Sequence, residues 1–391
     1  MLRPQTHLFN LESDVTYLNC AYMSPLARPV VEAGTAGLLL KERPYRFTTD
    51  RFFQPVRDLR ASFARLINCP DPHRIALVPA VSYGMAVVAR NLEVRAGQNI
   101  VVVHEQFPSN YYPWERFVRS HGTEIRTVRP GETLATRGSD WNERLLAAID
   151  ADTALVAVPH VHWADGTRYD LKTLRARTHE VGALLVVDGT QSVGALPFDV
   201  QDLGVDALVC GAYKWLLGPY GSGLAYFGER FDDGIPVEEN WINRLDSDNF
   251  ANLVRYQPRY QPLAQRYNTG ETSNFINVPM LNAALDLLHT WTPAGIQAYC
   301  EHLLVEPLEA LTALGYQIAP AEQRAAHLFG LRLPTGLDLD ALRQRLVTEK
   351  ISVSVRGNAV RISPHVYNTA TDMERLVAVL RSMVVADGNR R

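Results

Sequence analysis

Cysteine is scarce in this chain of 391 residues: Cys20, Cys69, Cys210 and Cys300 stand far apart, and no two form a CxxC pair. That spacing argues against a zinc ribbon and a disulfide framework, so no metal site is expected and a reduced, cytoplasmic setting is. An uncharged apolar run long enough for a membrane span is also missing. The opening "MLRPQTHLFNLESDVTYLN" lacks the basic-then-apolar order of a secretory signal. Charge of one sign is not in excess, and a net charge of −3 gives no sign of a nucleic-acid-binding surface. Repeats, low-complexity tracts and long charge runs are absent as well. No G-x-G-x-x-G opens a helix in the first strand–helix unit, where a dinucleotide fingerprint belongs. What is present is a composition 47% hydrophobic and 21% charged, ordinary for a globular protein and long enough for two domains.

Short apolar runs alternate with helix-spaced segments through the middle of the chain. "RIALVPA" (74–80), "NIVVVHE" (99–105), "TEIRTV" (123–128), "TALVAVPHV" (153–161), "ALLVVDG" (183–189) and "DALVCG" (206–211) read as buried strands. Between them, "SYGMAVVARNL", "NYYPWERFVRSHG", "DWNERLLAAID" and "LKTLRARTHEVG" carry helical spacing. This alternation predicts an α/β fold with a mostly parallel sheet covered by helices on both faces. Ligands bind such sheets beyond the carboxyl ends of the strands. From about residue 285 the texture changes to helices, "MLNAALDLLHTW" and "YCEHLLVEPLEALTALG", then "AHLFGLRLP", the helix "DLDALRQRLVTEK", the short strands "ISVSVRG" and "AVRISPH", and a closing helix "TDMERLVAVLRSM". This predicts a smaller α+β domain over 286–391.

The stretch "LVCGAYKWLLGPYGSGLAYF" (208–227) holds one charge, Lys214, among apolar, aromatic and small residues. A buried unpaired ammonium finds a partner, reaches water or gives up its proton, and a neutral amine is a nucleophile. Three further features stand at strand ends. Asp188 closes "ALLVVDG", where a carboxylate needs a cation or caps the next turn. Val81 and Ser82 lie in the strand-to-helix turn of "LVPAVSYGMAVV", with Ser82 read as the N-cap; free amides there suit a phosphate. Phe107 follows the third run in "HEQFPSNYYPW". Each alone has an ordinary explanation: a solvated lysine, a capping aspartate, an unliganded N-cap, a core phenylalanine. Together they suit one ligand, a planar ring with a phosphate, an aldehyde and a basic ring nitrogen. Pyridoxal 5'-phosphate has all of these.

The segment "VVDGTQSVGALPFDVQDLGVDALVCGAYKWLLGPYGSGLAYF" closely resembles the class V group of fold-type I pyridoxal phosphate enzymes. That group includes cysteine desulfurases, selenocysteine lyase, isopenicillin N epimerase, kynureninase and several aminotransferases. The resemblance extends from "YLNCAYMSPL" (17–26) through "RYNTGETSNF" (266–275) to "VRISPHVYNT" (360–369). It implies a large cofactor-binding domain over 26–285, joined to the smaller one by the N-terminal segment 1–25. It also implies that Lys214 forms the Schiff base, Asp188 pairs with the pyridinium nitrogen, Gln191 bonds the ring's phenolic oxygen and Phe107 stacks on the ring. Val81, Ser82 and Tyr213 would hold the phosphate, Arg361 would grip the substrate α-carboxylate, and Thr272 would serve the other site of a homodimer. Trp163, in "HVHWADGT", occupies a place where desulfurases have an asparagine, and Tyr22, Tyr45, Arg46 and His162 are candidate pocket residues.

Departures from the desulfurase pattern are specific. Phe107 replaces a histidine, "GAY" replaces the serine and histidine before the lysine, and "SVSVRGNAV" (352–360) has no nucleophilic cysteine. The expected activity is therefore that of an enzyme acting on an amino acid through a lysine-bound aldimine, as a transaminase or C–S lyase. Epimerisation and desulfurase-like chemistry are the alternatives, and a silent cofactor-binding regulatory module is a remote one.

Overall fold

The computed structural model describes residues 2–357 and 359–388. Seven strands form the central sheet: β1 (Ile75–Val78), β2 (Asn99–Val103), β3 (Glu124–Val128), β4 (Thr153–Pro159), β5 (Leu184–Asp188), β6 (Ala207–Gly211) and β7 (Gly223–Phe227). Their spatial order is β1-β7-β6-β5-β4-β2-β3, with β7 antiparallel to both of its neighbours and the other pairings parallel.

The strands are hydrophobic throughout because both faces are covered. Val101, Val103, Val156, Val158, Leu185, Val187 and Leu208 enter one apolar cluster. The residues between them, Ile100, Val102, Leu155, Ala157, Val186 and Val209, enter another. The first face is packed by helices α1 (Arg28–Leu40), α2 (Thr49–Leu66), α5 (Arg137–Ala148), α6 (Leu171–Val181) and α7 (Asn277–Trp291), and the second by α3 (Val81–Arg90) and α4 (Tyr112–His121). Of the two edge strands, β1 and β3, only β3 keeps exposed polar positions, as an edge can. Gly84 lets α3 approach the sheet: a Cβ there would stand 2.6 Å from Val209 Cγ1. Its first turn is thereby held over the strand ends.

A second sheet follows, built from β8 (Gln317–Ile318), β9 (Phe329–Arg332), β10 (Ser354–Arg356) and β11 (Ala359–Ile362) in the order β10-β11-β9-β8, all antiparallel. Its core, with Leu331, Val360 and Ile362, is closed by α8 (Pro293–Ala313), α9 (Leu339–Thr348) and α10 (Ala370–Gly388). The N-terminal segment crosses both sheets' territory. Thr16–Tyr17 pairs in parallel with Ile351–Ser352, and Ser24 then donates its amide to the Tyr213 carbonyl at 3.0 Å.

Three elements differ from the sequence reading. Helices α1 and α2 carry no expectation there: Pro55 sits inside α2, although Phe53, Val56, Leu59 and Phe63 bury one face at helical spacing. The expected strand at 206–211 is β6, but β7 carries no expectation and returns antiparallel beside it as a hairpin, since eleven connecting residues are too few for a crossover helix. "ISVSVRG" is two strands with different partners, because Ile351–Ser352 pairs with the N-terminal segment. Asn358, within the 352–360 loop, lies outside the described residues. No helix among the described residues is long and apolar enough to cross a membrane.

Candidate active site

Strand ends converge on a cavity of about 180 Å³ lined by Val81, Phe107, Trp163, Asp188, Gln191, Tyr213 and Lys214. Thus seven residues singled out from the sequence meet at one place. Lys214 follows β6 directly, in the β6–β7 connection, and is 6% exposed. Its Nζ lies 5.3 Å from the centre of the Phe107 ring and 5.4 Å from that of Tyr213. Burial lowers its pKa to about 8, with Arg361 and Arg356 pushing the same way and Asp188 opposing them. A lysine so placed holds a substantial neutral fraction near physiological pH.

Asp188 ends β5 and is buried; its Oδ1 accepts the Thr190 amide at 3.0 Å. Burial raises its pKa, against the Thr190 hydrogen bonds and the attraction of Lys214. Lys214 and Asp188 form no direct ion pair, so the simplest pairing of the two charges does not hold. Gln191 donates to the Ala21 carbonyl at 3.1 Å and accepts from Trp215 Nε1 at 2.8 Å, which leaves one amide hydrogen for the cavity. Its main-chain carbonyl is fixed by buried His327, whose Nε2 lies 2.8 Å away. Trp163 gives its indole N–H to the Glu105 carbonyl at 2.7 Å and meets Phe107 edge-on at 5.6 Å, so it supplies an aromatic wall.

Several of the expected residues stand outside the cavity lining. Ser82 is not the N-cap: helix α3 begins at Val81 behind extended Ala80, and Ser82 is exposed in the first turn. With no side-chain cap, the first α3 amides remain open to an anion. His162 is fully buried against Trp141, with Nδ1 3.2 Å from Asp165 Oδ1, and faces away from the cavity. Tyr22, 55% exposed, lines a separate cleft with Asn19 and Arg356, and Tyr45 and Arg46 are exposed on a short helical turn. Thr272 is buried with its hydroxyl on the Thr269 carbonyl at 2.6 Å, apart from the cavity lining.

Arg361, 1% exposed, stands behind Trp163 and donates Nη1 to that residue's carbonyl at 2.8 Å. Burial and the neighbouring Arg356 lower its pKa to about 9. Arg356 was not singled out in the sequence, where "SVSVRGN" reads as an ordinary strand. Its guanidinium lies 5.5 Å from the centre of the Trp163 ring. The signal was the alternation itself, which needs the hairpin register to be read. Gln106, Ser109 and Ser222 also line the cavity without having been predicted.

The residues fit pyridoxal phosphate: open amides at α3 for a phosphate, a buried carboxylate short of a cation for the ring nitrogen, an aromatic face, and an unpaired amine. The seven-stranded, mostly parallel sheet with its appended smaller sheet is the fold-type I architecture of pyridoxal phosphate enzymes. Among solved structures, the chain is similar to C-DES, a cystine C–S lyase crystallised with its product cysteine persulfide (TM-score 0.85, 22% identity, 95% of this chain and 98% of that chain). It is also similar to the cysteine desulfurase CsdA from Escherichia coli (TM-score 0.81, 20% identity, 97% and 98% covered).

The Aminotransferase class-V family matches residues 43–377, and the chain belongs to that family. It is a pyridoxal phosphate-dependent enzyme. Its relatives include an uncharacterized aminotransferase of Bacillus subtilis, YcbU, 29% identical over 334 residues and 81% of each chain. Isopenicillin N epimerase of Amycolatopsis lactamdurans is 28% identical over 401 residues and 96% of each chain.

Proposed function

We propose that this enzyme removes the Cα proton of an α-amino acid and carries the reaction on to transamination. The observation that carries the reading is Lys214: a buried amine with its pKa lowered to about 8, beside an aromatic face and a lone carboxylate. Bound there, pyridoxal phosphate supplies an aldehyde that captures amines and a protonated ring that draws electrons from the adjacent carbon. The chain's own groups do the rest. Asp188 holds the ring nitrogen's proton, because a buried carboxylate short of a cation favours a protonated partner. The open α3 amides and Tyr213 anchor the phosphate, and Phe107 fixes the ring plane. Arg361 aligns the substrate through its α-carboxylate, for which its planar fork is suited. Lys214 then takes the Cα proton as a neutral amine.

A C–S lyase is the second reading, favoured by the state of the thiols. All four cysteines are buried, and burial raises the Cys20 thiol, which Lys214 influences electrostatically, to about 12. Sulfur therefore leaves as a β-leaving group and not on the protein. A panel of amino acids, with and without an α-keto acid, separates the readings. The cofactor spectrum should be followed together with keto acid, ammonia and sulfide. Transamination requires the added keto acid for repeated turnover, whereas elimination releases ammonia without it.

The same reading divides the chain into a larger part over 26–285 and a smaller one over 286–391, bridged by residues 1–25. The separate apolar cluster around the second sheet supports this. It also takes the enzyme to be a cytoplasmic homodimer, with the 266–275 loop serving the neighbouring site.

A further inference from the structure

Strands β10 and β11 pair antiparallel with Ser354 opposite Arg361 and Arg356 opposite Ala359. Residues 354, 356, 359 and 361 therefore share one face, and the two arginines are diagonal neighbours on it. Both lean on Trp163, Arg361 through the carbonyl and Arg356 over the ring. Neither forms an ion pair with an acid among the described residues, and the Nε of each is buried without a partner. Arg361 keeps two neutral acceptors, the Trp163 carbonyl at 2.8 Å and, more weakly, Ser354 Oγ at 3.4 Å. Among the described residues, Arg356 keeps only the carbonyl of adjacent Val355, at 2.8 Å.

Three cations, Lys214, Arg356 and Arg361, thus act on one another across the site, with Asp188 the one carboxylate among the groups that perturb Lys214. Like charges this close, partly desolvated, are costly unless anions meet them. The open amides of α3 would hold the cofactor's phosphate, and Asp188 would pair with its ring nitrogen. One substrate α-carboxylate answers Arg361. Arg356 is left over, and it faces a cleft of about 600 Å³ shared with Asn19, Tyr22 and Ser354. Asn19 Oδ1 accepts from Ser354 Oγ at 2.8 Å, so this cleft and the Arg361 site have one polar wall between them.

We propose that the substrate is an amino acid whose side chain ends in a second carboxylate, and that Arg356 binds this group at the mouth of the cleft while Arg361 binds the α-carboxylate. The proposal rests on the amino-acid reading given above and names its substrate class. Dicarboxylic amino acids of different lengths fit, since the cleft is open beyond Arg356. An amino acid with an apolar or cationic side chain leaves Arg356 unpaired or repelled.

The test uses the holoenzyme and two readouts. Calorimetry measures binding of the unreactive dicarboxylates succinate and glutarate against the monocarboxylate butyrate. Steady-state kinetics compares aspartate, glutamate and 2-aminoadipate with asparagine, glutamine and norleucine. Wild type should prefer the dicarboxylic member in both. Arg356→Gln should weaken dicarboxylate binding about tenfold or more, as expected for one charged hydrogen-bonded contact, and leave butyrate unchanged. Arg361→Gln should weaken both. Arg356→Lys should restore part of the loss, because it returns the charge without the fork. Unchanged butyrate binding in Arg356→Gln also shows that the hairpin is intact. Neutral amino acids handled as well as dicarboxylic ones, or equal losses for both classes in Arg356→Gln, overturn the proposal even with cofactor fixed on Lys214. Dicarboxylate selectivity that survives while borohydride fixes no cofactor on Lys214 instead overturns the proposed function and leaves the Arg356 site standing.

Discussion

The strand-end wall of the cavity and the β10–β11 hairpin wall behind Trp163 handle charge in opposite ways. On the strand-end wall, β5, β6 and α3 present one carboxylate, one amine and a set of open amides, each isolated in apolar surroundings. On the hairpin wall, β10 and β11 present two guanidinium groups side by side, with no acid paired to either among the described residues. The first wall is complementary to a cofactor that brings its own cation and anion. The second is complementary to anions alone. Isolation also makes charges conspicuous: Lys214 and Asp188 interrupt hydrophobic runs, whereas Arg356 sits among serines and valines in a strand of ordinary appearance.

The largest expected effect comes from removing the amine of the first wall. Lys214→Ala should lower turnover by roughly 10³-fold or more, since it deletes both the covalent anchor and the base. Borohydride reduction and peptide mapping check it cleanly, because the chain has four lysines, Lys41, Lys172, Lys214 and Lys350. Cofactor fixed on any of the other three sinks the assignment. Asp188→Asn comes next, with a loss of roughly 10²-fold in kcat at near-wild-type melting temperature, as for removal of one well-placed electrostatic group. Unchanged rates would reduce Asp188 to a cap for Thr190.

Substitution on the hairpin wall should be milder and should fall on binding. Arg361→Lys is expected to raise KM by about tenfold with little change in kcat, because a point charge replaces a planar fork. If substrates lacking the α-carboxylate react as well as complete ones, this role is wrong.

A smaller effect joins the walls. Capture of added pyridoxal phosphate by the cofactor-free chain needs neutral Lys214, so it should rise with pH around a midpoint near 8. Arg361 and Arg356 both lower that lysine's pKa, so replacing either by Gln should move the midpoint upward. A midpoint that stays put in both variants would break the electrostatic link between the walls. The smallest effect is expected from replacing all four cysteines by Ser or Ala: most activity should remain, with some loss of melting temperature from the buried positions. A persulfide on Cys20, formed in step with alanine, would overturn this.

Apolar runs and their spacing were enough to establish the parallel sheet, because strands buried on both faces must be hydrophobic throughout. The same logic exposed Lys214 and Asp188, since a charge inside such a run needs a chemical reason. The long helix α2 escaped notice because Pro55 breaks the local pattern that its buried face otherwise completes. The α3 start was displaced because Ser82 is a good cap by type, while extended Ala80 takes the position and leaves the amides open.

What the sequence determined by itself is the set of groups that stand alone: the lysine, the carboxylate, the aromatic face and the absence of a loop cysteine. Local composition dictates these, since isolation in an apolar run is a property of neighbours along the chain. What only the tertiary structure decided is which groups share the space around them. His162 turned inward to Asp165, Tyr22 went to a neighbouring cleft, and Arg356 came up beside Arg361. Those outcomes depend on strand register and on contacts between distant segments, and a one-residue slip of the β10–β11 hairpin would send Arg356 to the other face.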